Sequence, residues 1–315
     1  MIFKKKPFTA KAPGRTWRAG VSWVFSLALL LCTQLAEAQS SRHELTGTLA
    51  KVHNSGKITL GFREFSIPFS YLSARDEPIG YSVDLCRAIV EAIGEVVGRE
   101  IEIEWKLVTS ASRMDMVTSG RIDLECGSTT SNAERSKHVA FSPIIFIAGT
   151  KLMVKRNSPI KSFRDLQNKV VAVTAGTTNE KTMQNLQRKF GLNYGLAVGK
   201  DHEDTLALLL DNKAHAFATD DALLNSMIVR RKLQKEYMVV GEFLSYDPYG
   251  IMFRKDDPML ARVVTATIHA MGKAQELDRV YNKWFMQRLP SGERLDMPPS
   301  PHLETVFSTF GEKPE

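Results

Sequence analysis

The chain has 315 residues, of which 43% are hydrophobic and 24% charged, an ordinary globular composition that excludes a disordered tail or a collagen-like repeat. The formal charge of +7 suggests a nucleic-acid partner, but residues 1–38 hold six lysines and arginines against one glutamate, and the remaining 36 basic and 34 acidic residues leave only +2. The basic excess therefore belongs to the N-terminal segment, and no nucleic-acid partner is expected.

This N-terminal segment has the pattern of a secretory signal peptide. Its basic stretch precedes the apolar residues 21–31, which are too few for a transmembrane span, and Ala36-Glu37-Ala38 offers the small residues that a cleavage site requires. We expect cleavage after Ala38 and a mature protein outside the cytoplasm. An uncleaved signal anchor is the alternative, because no charge interrupts residues 19–36.

Three cysteines are too few for a disulfide scaffold, and two of them, Cys86 and Cys126, follow the expected cleavage site. In an oxidising compartment they could pair, but two buried thiols are an equally good interpretation. No Cys/His cluster has the spacing of metal ligands, and there is no glycine-rich phosphate-binding motif. Neither a metal nor a cofactor is expected.

Two α/β units follow one another along the chain. In the first, hydrophobic patterning predicts a strand at 58–62, a helix capped by Ser82, a strand at 101–107, a short helix from Ser112 to Gly120 and a strand at 122–126. In the second it predicts strands at 170–173, 194–198 and 214–219, which alternate with helices that open at Thr177 and cover 203–211 and 222–231. The repeated order predicts two doubly wound lobes.

Two extended segments connect these units. Residues 141–154 lead from the first unit to the second, and residues 249–253 lead back toward two closing helices that end near Trp284. We expect an N-terminal segment at 39–57, lobe 1 at 58–147 and 250–289, and lobe 2 at 148–249. Residues 290–315 contain five prolines and are expected to form a loosely packed tail.

Polar side chains stand where several predicted strands and helices meet. Ligands of doubly wound sheets bind beyond the carboxyl ends of the strands. The candidate ligand-binding residues there and in the neighbouring turns are Arg63, Ser110, Arg113, Ser128, Thr130, Arg135, Thr177, Thr178, His202 and Asp220. Individually they have simpler roles: an arginine is usually a solvated surface residue, and Asp221 or His202 could cap a helix.

The charges of these candidates predict the type of ligand. Arg63, Arg113 and Arg135 bring +3 and Asp220 brings −1, so the cleft carries an excess of +2. Arginine offers a rigid fork of donors that matches a carboxylate, and buried charges must be paired to be tolerated. A ligand with two carboxylates and one ammonium fits this excess better than a simple zwitterion.

Several segments resemble a known family. Gly-Phe-Arg-Glu-Phe-Ser-Ile-Pro-Phe-Ser-Tyr at 61–71, Gly-Tyr-Ser-Val-Asp at 80–84, Glu-Cys-Gly-Ser-Thr-Thr-Ser-Asn-Ala-Glu-Arg at 125–135 and Phe-Ser at 141–142 resemble family 3 extracellular solute-binding proteins, the periplasmic receptors of amino-acid ABC importers. Segments 173–178, 200–204, 220–224 and 249–257 resemble its glutamate/aspartate-binding branch. Ser66 stands where many members place an aromatic residue over a neutral or basic ligand, which also favours the acidic branch.

The resemblance implies a type II periplasmic-binding-protein fold that closes by hinge motion on L-glutamate or L-aspartate. It implies a monomer in the periplasm that delivers its ligand to an inner-membrane ABC permease. The resemblance implies that the ligand α-carboxylate is bound by Thr130, Arg135, Thr177 and Thr178. It implies that the α-ammonium is bound by Asp220. The side-chain carboxylate falls to Arg63, Ser110, Arg113 and His202, with Ser128 fixing nearby backbone groups.

Two alternatives remain at this point. The same fold could serve as a receptor for glutamine, asparagine or another small carboxylate. It could also be a dehydratase-type enzyme, with Glu125 or His202 as the catalytic acid. An enzyme is not expected, because arginine holds anions but does not transfer protons at neutral pH.

Overall fold

The computed structural model describes residues 44–310, so the predicted signal peptide lies outside the described residues. The described strands are β1 (Lys57–Phe62), β2 (Phe65–Ser66), β3 (Ser70–Leu72), β4 (Pro78–Ile79), β5 (Glu102–Leu107), β6 (Leu124–Glu125), β7 (Val139–Phe141), β8 (Phe146–Ala148), β9 (Thr150–Lys155), β10 (Val170–Thr174), β11 (Gly195–Gly199), β12 (Ala216–Asp220), β13 (Tyr237–Val240), β14 (Asp247–Tyr249) and β15 (Met252–Arg254).

The described α-helices lie between these strands and after them. They are α1 (Gly47–Ser55), α2 (Tyr81–Val97), α3 (Arg113–Thr118), α4 (Thr178–Phe190), α5 (His202–Leu210), α6 (Asp221–Arg230), α7 (Pro258–Lys273), α8 (Glu276–Tyr281) and α9 (Pro301–Thr309). Within residues 44–310, no helix is both long and apolar enough to cross a membrane.

Two five-stranded mixed sheets form the centres of two lobes. In lobe 1 the strand order is β5-β1-β6-β15-β7, with β1 parallel to both β5 and β6. In lobe 2 the order is β11-β10-β12-β9-β13, with β10 parallel to both β11 and β12. Since β15 follows the second sheet in sequence but pairs with β6 of the first, the chain passes between the lobes twice.

The two passages pair with each other. Strands β8 and β14 are antiparallel, with Phe146 opposite Tyr249 and Ala148 opposite Asp247. The predicted strand at 249–253 is therefore two strands, since β14 ends at Tyr249 and β15 begins at Met252. This architecture confirms the predicted fold class, two doubly wound lobes joined by two extended segments.

Helix α2 shows how the sequence forms the core of lobe 1. Its apolar stripe, including Leu85, Ile89 and Ile93, is fully buried. The prediction that Ser82 caps this helix is wrong, because the helix begins at Tyr81 after Gly80, which adopts a φ of 137°. A Cβ at Gly80 would lie 2.3 Å from the carbonyl oxygen of Phe69, so only glycine allows this approach.

The two cysteines form a disulfide within lobe 1. Cys86 lies on the buried face of α2 and Cys126 directly follows β6, which brings their Cα atoms to 6.1 Å. This decides between the two interpretations that the sequence left open. The bond connects helix to sheet across a sequence separation of 40 residues.

The expectation of a loosely packed C-terminal tail is wrong for the described part. Ser300 caps α9 by accepting a hydrogen bond from the backbone of Leu303, and Pro301 occupies the first turn, where proline is favourable. Leu303, Phe307 and Phe310 are buried, and Phe310 stacks on His269 of α7. The prolines restrict the chain before the helix, and the helix itself packs its apolar face on lobe 1.

Candidate ligand-binding site

A small cavity of ≈ 10 Å³ lies between the lobes. Its lining comes from turns of lobe 1 and from the starts of α4, α5 and α6 in lobe 2. Eight of the ten candidate residues line it, together with Asn179, and these eight are Ser110, Arg113, Ser128, Thr130, Thr177, Thr178, His202 and Asp220. Arg63 and Arg135 are not among the lining residues.

Two buried arginines lie at one end of the cavity. Arg63 follows β1 and is 2% exposed, while Arg113 begins α3 and is equally buried. Nη1 of Arg63 and Nε of Arg113 have no hydrogen-bond partner. Burial, followed by the charge of Arg113, lowers the pKa of Arg63 to about 9. Arg63 therefore remains cationic at neutral pH, and both guanidinium groups keep donors free for an anion.

Neutral polar groups complete this end of the cavity. The hydroxyl oxygens of Ser110 and Ser128 are buried and without partners. His202 does not cap α5, because Asp201 does so by accepting from the backbone of Asp204. Burial, followed by the charges of the two buried arginines, lowers the pKa of His202 well below its ordinary value. The imidazole is therefore neutral, and its Nδ1 lies 3.0 Å from Oγ1 of Thr174.

A second anion-binding arrangement lies where α4 begins. Thr177 caps this helix as predicted, accepting from the backbone N–H of Glu180 at 3.1 Å. A helix start of this kind presents free N–H groups and favours negative charge. Arg135 reaches across from lobe 1, where Nη1 donates to the carbonyl of Thr130 at 2.8 Å, and Nη2 donates to the carbonyl of Gly176 in lobe 2 at 3.4 Å.

Asp220 lies at the end of β12, and its carboxylate accepts hydrogen bonds at the wall of the cavity. It accepts a hydrogen bond from Nδ2 of Asn179 at 2.9 Å and another from the hydroxyl of Tyr249. Burial, followed by the neighbouring carboxylate of Asp247, raises the pKa of Asp220 to about 7. An ammonium group placed here would favour the ionised carboxylate. Asp221 does not cap α6 as expected; it accepts from the backbone N–H of Gly149 instead.

Sequence reasoning missed Asn179, Asp247 and Tyr249 near the cavity, and it named Glu125 only as the catalytic acid of the enzyme alternative. Glu125 and Asp247 add two carboxylates to the buried charges, so the total over the six groups is zero rather than the +2 that we counted from the sequence. Asn179 and Tyr249 hold Asp220 in place. Asp247 and Tyr249 belong to β14, and no local pattern there indicates that their side chains face the site.

The charges are nevertheless separated within the site. The two arginines with free donors make no hydrogen bond with Asp220, which is held by Asn179 and Tyr249. Arg63 and Arg113 make no salt bridge in the described structure, whereas Asp247 accepts from Thr130 and Ser245. The positions of the charges, rather than their sum, favour a ligand with two anionic groups and one cationic group.

The lobes meet closely around this cavity. Gly176 has a φ of 72°, and a Cβ there would lie 2.8 Å from the Cα of Ala111 in the other lobe. Lys181 of α4 forms a salt bridge with Glu134 of lobe 1 at 2.6 Å. The hydroxyls of Thr130 and Thr178 lie 3.2 Å apart across the same boundary. These contacts close the cleft between the lobes.

Two hinged α/β lobes around a small polar cavity define a bilobal solute receptor. The chain belongs to the bacterial extracellular solute-binding proteins, family 3, which it matches over residues 58–287. The family is described as solute-binding and the curated relatives that the chain matches are named as binding proteins, so the alternative of a dehydratase-type enzyme is rejected.

Two relatives of this chain are named for the binding or import of glutamate and aspartate. The chain is 40% identical to the L-glutamate/L-aspartate-binding protein of Pseudomonas aeruginosa, over 91% of this chain and 96% of that protein. It is 37% identical to the glutamate/aspartate import solute-binding protein of Escherichia coli, with the same two coverages. Among solved structures, an ancestral arginine-binding protein bound to glutamine has 27% identity and a TM-score of 0.66, and the match covers 74% of this chain and 99% of that structure.

Proposed function

We propose that this protein binds L-glutamate or L-aspartate between its lobes and delivers it, as a monomer, to an inner-membrane ABC permease. The observation that carries the proposal is the pair of buried arginines with free donors, Arg63 and Arg113, opposite a separate site for an α-amino acid group. The names of the two relatives described above, which bind or import glutamate and aspartate, support the same ligands.

The α-amino acid group occupies the Asp220 end of the cavity in this proposal. Its ammonium donates to Asp220, which already points into the cavity with its two supporting hydrogen bonds. Its carboxylate accepts from Arg135 and from the first backbone N–H groups of α4, with the hydroxyls of Thr130, Thr177 and Thr178 beside them. Every amino acid shares these groups, so this end gives affinity without choosing among side chains.

The side-chain carboxylate lies between the buried arginines. Arg63 and Arg113 donate to it, the hydroxyl of Ser110 supplies a neutral donor, and the neutral imidazole of His202 closes the wall. Ser128 fixes the nearby backbone, whose carbonyl accepts from Arg113 at 3.2 Å. One carboxylate supplies partners for several groups that are buried and unsatisfied without it.

Glutamine and asparagine are the competing ligands, because an amide has nearly the same shape. An amide would leave a buried guanidinium without a charged partner, at a cost of about 2–5 kcal/mol. The solved structure described above shows glutamine bound by a relative of this fold, so the fold alone does not decide. The two arginines favour the acids.

The location follows from the same proposal. We infer that residues 1–38 form a signal peptide cleaved after Ala38 and that the mature protein acts in the periplasm. Lobe 1 then comprises residues 58–147 and 250–289 and lobe 2 residues 148–249, with 39–57 and 290–315 as terminal segments. The apolar residues 21–31 and the family match support export.

Two arginine variants test the assignment by calorimetry against glutamate and glutamine. Arg135→Ala should weaken the binding of both ligands by about 100-fold, because it removes the partner of their shared α-carboxylate. Arg113→Ala should weaken the binding of glutamate by about 100-fold and the binding of glutamine much less. Arg164→Ala is the control, since Arg164 is exposed in lobe 2 and pairs with Glu242. Equal losses of glutamate and glutamine in Arg113→Ala would contradict the side-chain assignment.

A further inference from the structure

Glu125 is a buried carboxylate for which the proposed binding steps have no use. It ends β6 in the middle of the lobe 1 sheet, between Gly61 of β1 and Met252 of β15, and it is completely buried. A carboxylate in such a place is costly unless charges or donors compensate it. The nearby cations are the two buried arginines of the side-chain subsite and Arg135, all of which lie close enough to interact with it electrostatically.

Thr129 stands between this carboxylate and the arginines. Its hydroxyl donates to Oε2 of Glu125 and accepts from Nη1 of Arg113. Glu125 itself makes no salt bridge with Arg63 or Arg113, and its Oε1 has no hydrogen-bond partner. The carboxylate therefore compensates the charge of the arginines at a short distance and leaves their free donors unoccupied.

The loop over Glu125 packs closely against the carboxylate. A Cβ at Gly127 would lie 2.3 Å from Oε1 of Glu125 and 2.8 Å from Cγ of Arg63, so the loop backbone packs directly against both side chains. Its neighbour Thr129 is completely buried as well. The geometry keeps the Glu125 carboxylate close to the guanidinium groups of Arg63 and Arg113 without direct contact.

We propose that Glu125 is a positioning residue that limits the positive charge of the side-chain subsite and thereby sets both its affinity for acidic ligands and its selectivity against amides. With Glu125 the subsite carries a net +1, which one ligand carboxylate neutralises. Without it the subsite carries +2, so a side-chain carboxylate gains more than a side-chain amide does. The proposal rests on the proposed function, because it assumes that a carboxylate enters this subsite.

Glu125→Gln tests the proposal, because it removes the charge and keeps an oxygen that can accept from Thr129. At an effective dielectric constant of about 20, one unit charge at such short range changes a carboxylate's binding by about tenfold or more. Calorimetry should therefore show glutamate binding about tenfold tighter than in the unmodified protein, with the ratio of the glutamine Kd to the glutamate Kd raised to a similar extent. The ligand-free variant should melt at a lower temperature, since two buried guanidinium groups lose their counter-charge.

Asp123→Asn is the matched control. Asp123 is a buried carboxylate only two residues away, but it faces Lys51 and the backbone of Thr59 rather than the cavity. This variant should lose stability without changing the ratio of the two dissociation constants. Glu125→Asp keeps the charge and should keep a ratio close to that of the unmodified protein.

Thr129→Val gives a second test if Glu125→Gln does not fold. Without the hydroxyl, Glu125 and Arg113 lose their shared partner, and a direct ion pair between them would occupy a donor that the ligand needs. Glutamate should then bind about tenfold more weakly, and the ratio of the glutamine Kd to the glutamate Kd should fall, opposite to its change in Glu125→Gln.

An unchanged or lower ratio in folded Glu125→Gln overturns the inference, and so does an unchanged ratio in Thr129→Val. If the unmodified protein binds glutamate and the variants do not alter selectivity, the role of Glu125 fails and the proposed function stands. If the unmodified protein binds neither glutamate nor aspartate, both fail together.

Discussion

Asp220→Asn should make the ligand-free protein more stable while it destroys binding. The folded structure raises the pKa of this carboxyl from 3.8 to about 7, through burial first and the charge of Asp247 second. Because the folded chain holds the proton more tightly than the unfolded chain, the contribution of Asp220 to stability is fully present below pH 3.8 and is lost as the pH rises through about 7. At pH 7.5 the unfavourable burial of the ionised form amounts to about 4 kcal/mol.

The carboxamide removes this pH-dependent cost. It also offers one acceptor oxygen where the carboxylate serves both Asn179 and Tyr249, so one hydrogen bond is lost, at a pH-independent cost of about 1 kcal/mol. The free energy of unfolding of Asp220→Asn, relative to the unmodified protein, should therefore fall by about 2.5 kcal/mol between pH 7.5 and pH 5. Urea denaturation of both proteins at the two pH values, without ligand, measures this difference.

Binding should respond in the opposite sense. Asp220→Asn leaves the ligand ammonium without its charged partner, and the glutamate Kd should rise by about 100-fold or more. In the unmodified protein the Kd should rise by up to about tenfold per pH unit below 7, because the protonated carboxyl must first lose its proton. The reasoning is refuted if the relative stability of the variant is the same at pH 7.5 and pH 5, since Asp220 would then have an ordinary pKa in the folded state.

Three further outcomes test other parts of the structure. Replacing Cys86 and Cys126 by serine should lower the free energy of unfolding by about 4 kcal/mol in the chain-entropy model for the 40-residue separation, and a loss below 1 kcal/mol in urea melts would contradict it. Leu303→Ala should lower the free energy of unfolding by about 2–5 kcal/mol, because Leu303 is 1% exposed. An unchanged melting temperature would instead support a loosely packed tail. Lys181→Ala should change the glutamate Kd by less than about threefold in calorimetry, because its salt bridge with Glu134 is exposed; a tenfold loss would show that this bridge holds the cleft closed.

Periodicity made the elements of both lobes predictable from the sequence. The strands at 58–62 and 101–107 correspond to β1 and β5 within a residue at each end, because their boundaries coincide with turns and polar residues. The strand at 122–126 is shorter in the structure, where only Leu124–Glu125 pairs with its neighbours. The flanking Cys126 still donates its backbone N–H to the carbonyl of Gly61, but the paired register with β1 covers Leu124 and Glu125 alone.

The joint placement of the candidate residues was also predictable, because the carboxyl ends of parallel strands meet at one edge. The sequence did not indicate that the carboxylates of Glu125 and Asp247 lie near the other charges of the site. Glu125 lies inside a predicted strand, where alternation indicates burial but not the identity of its neighbours. Asp247 belongs to β14, whose partner β8 lies about a hundred residues earlier, so only the folded chain places it beside Asp220. The helix α9 was missed for a related reason: the prolines before it dominated the local pattern.

The most direct test of the account is calorimetry of the unmodified protein, unfolded and refolded to remove any carried ligand, against glutamate, aspartate, glutamine and asparagine. The two buried arginines with free donors predict a Kd of about 1 μM or tighter for at least one acid, and binding about 100-fold weaker for its amide. Amides that bind as tightly as the acids would contradict the side-chain subsite. No binding of any of the four would contradict the proposed function as a whole.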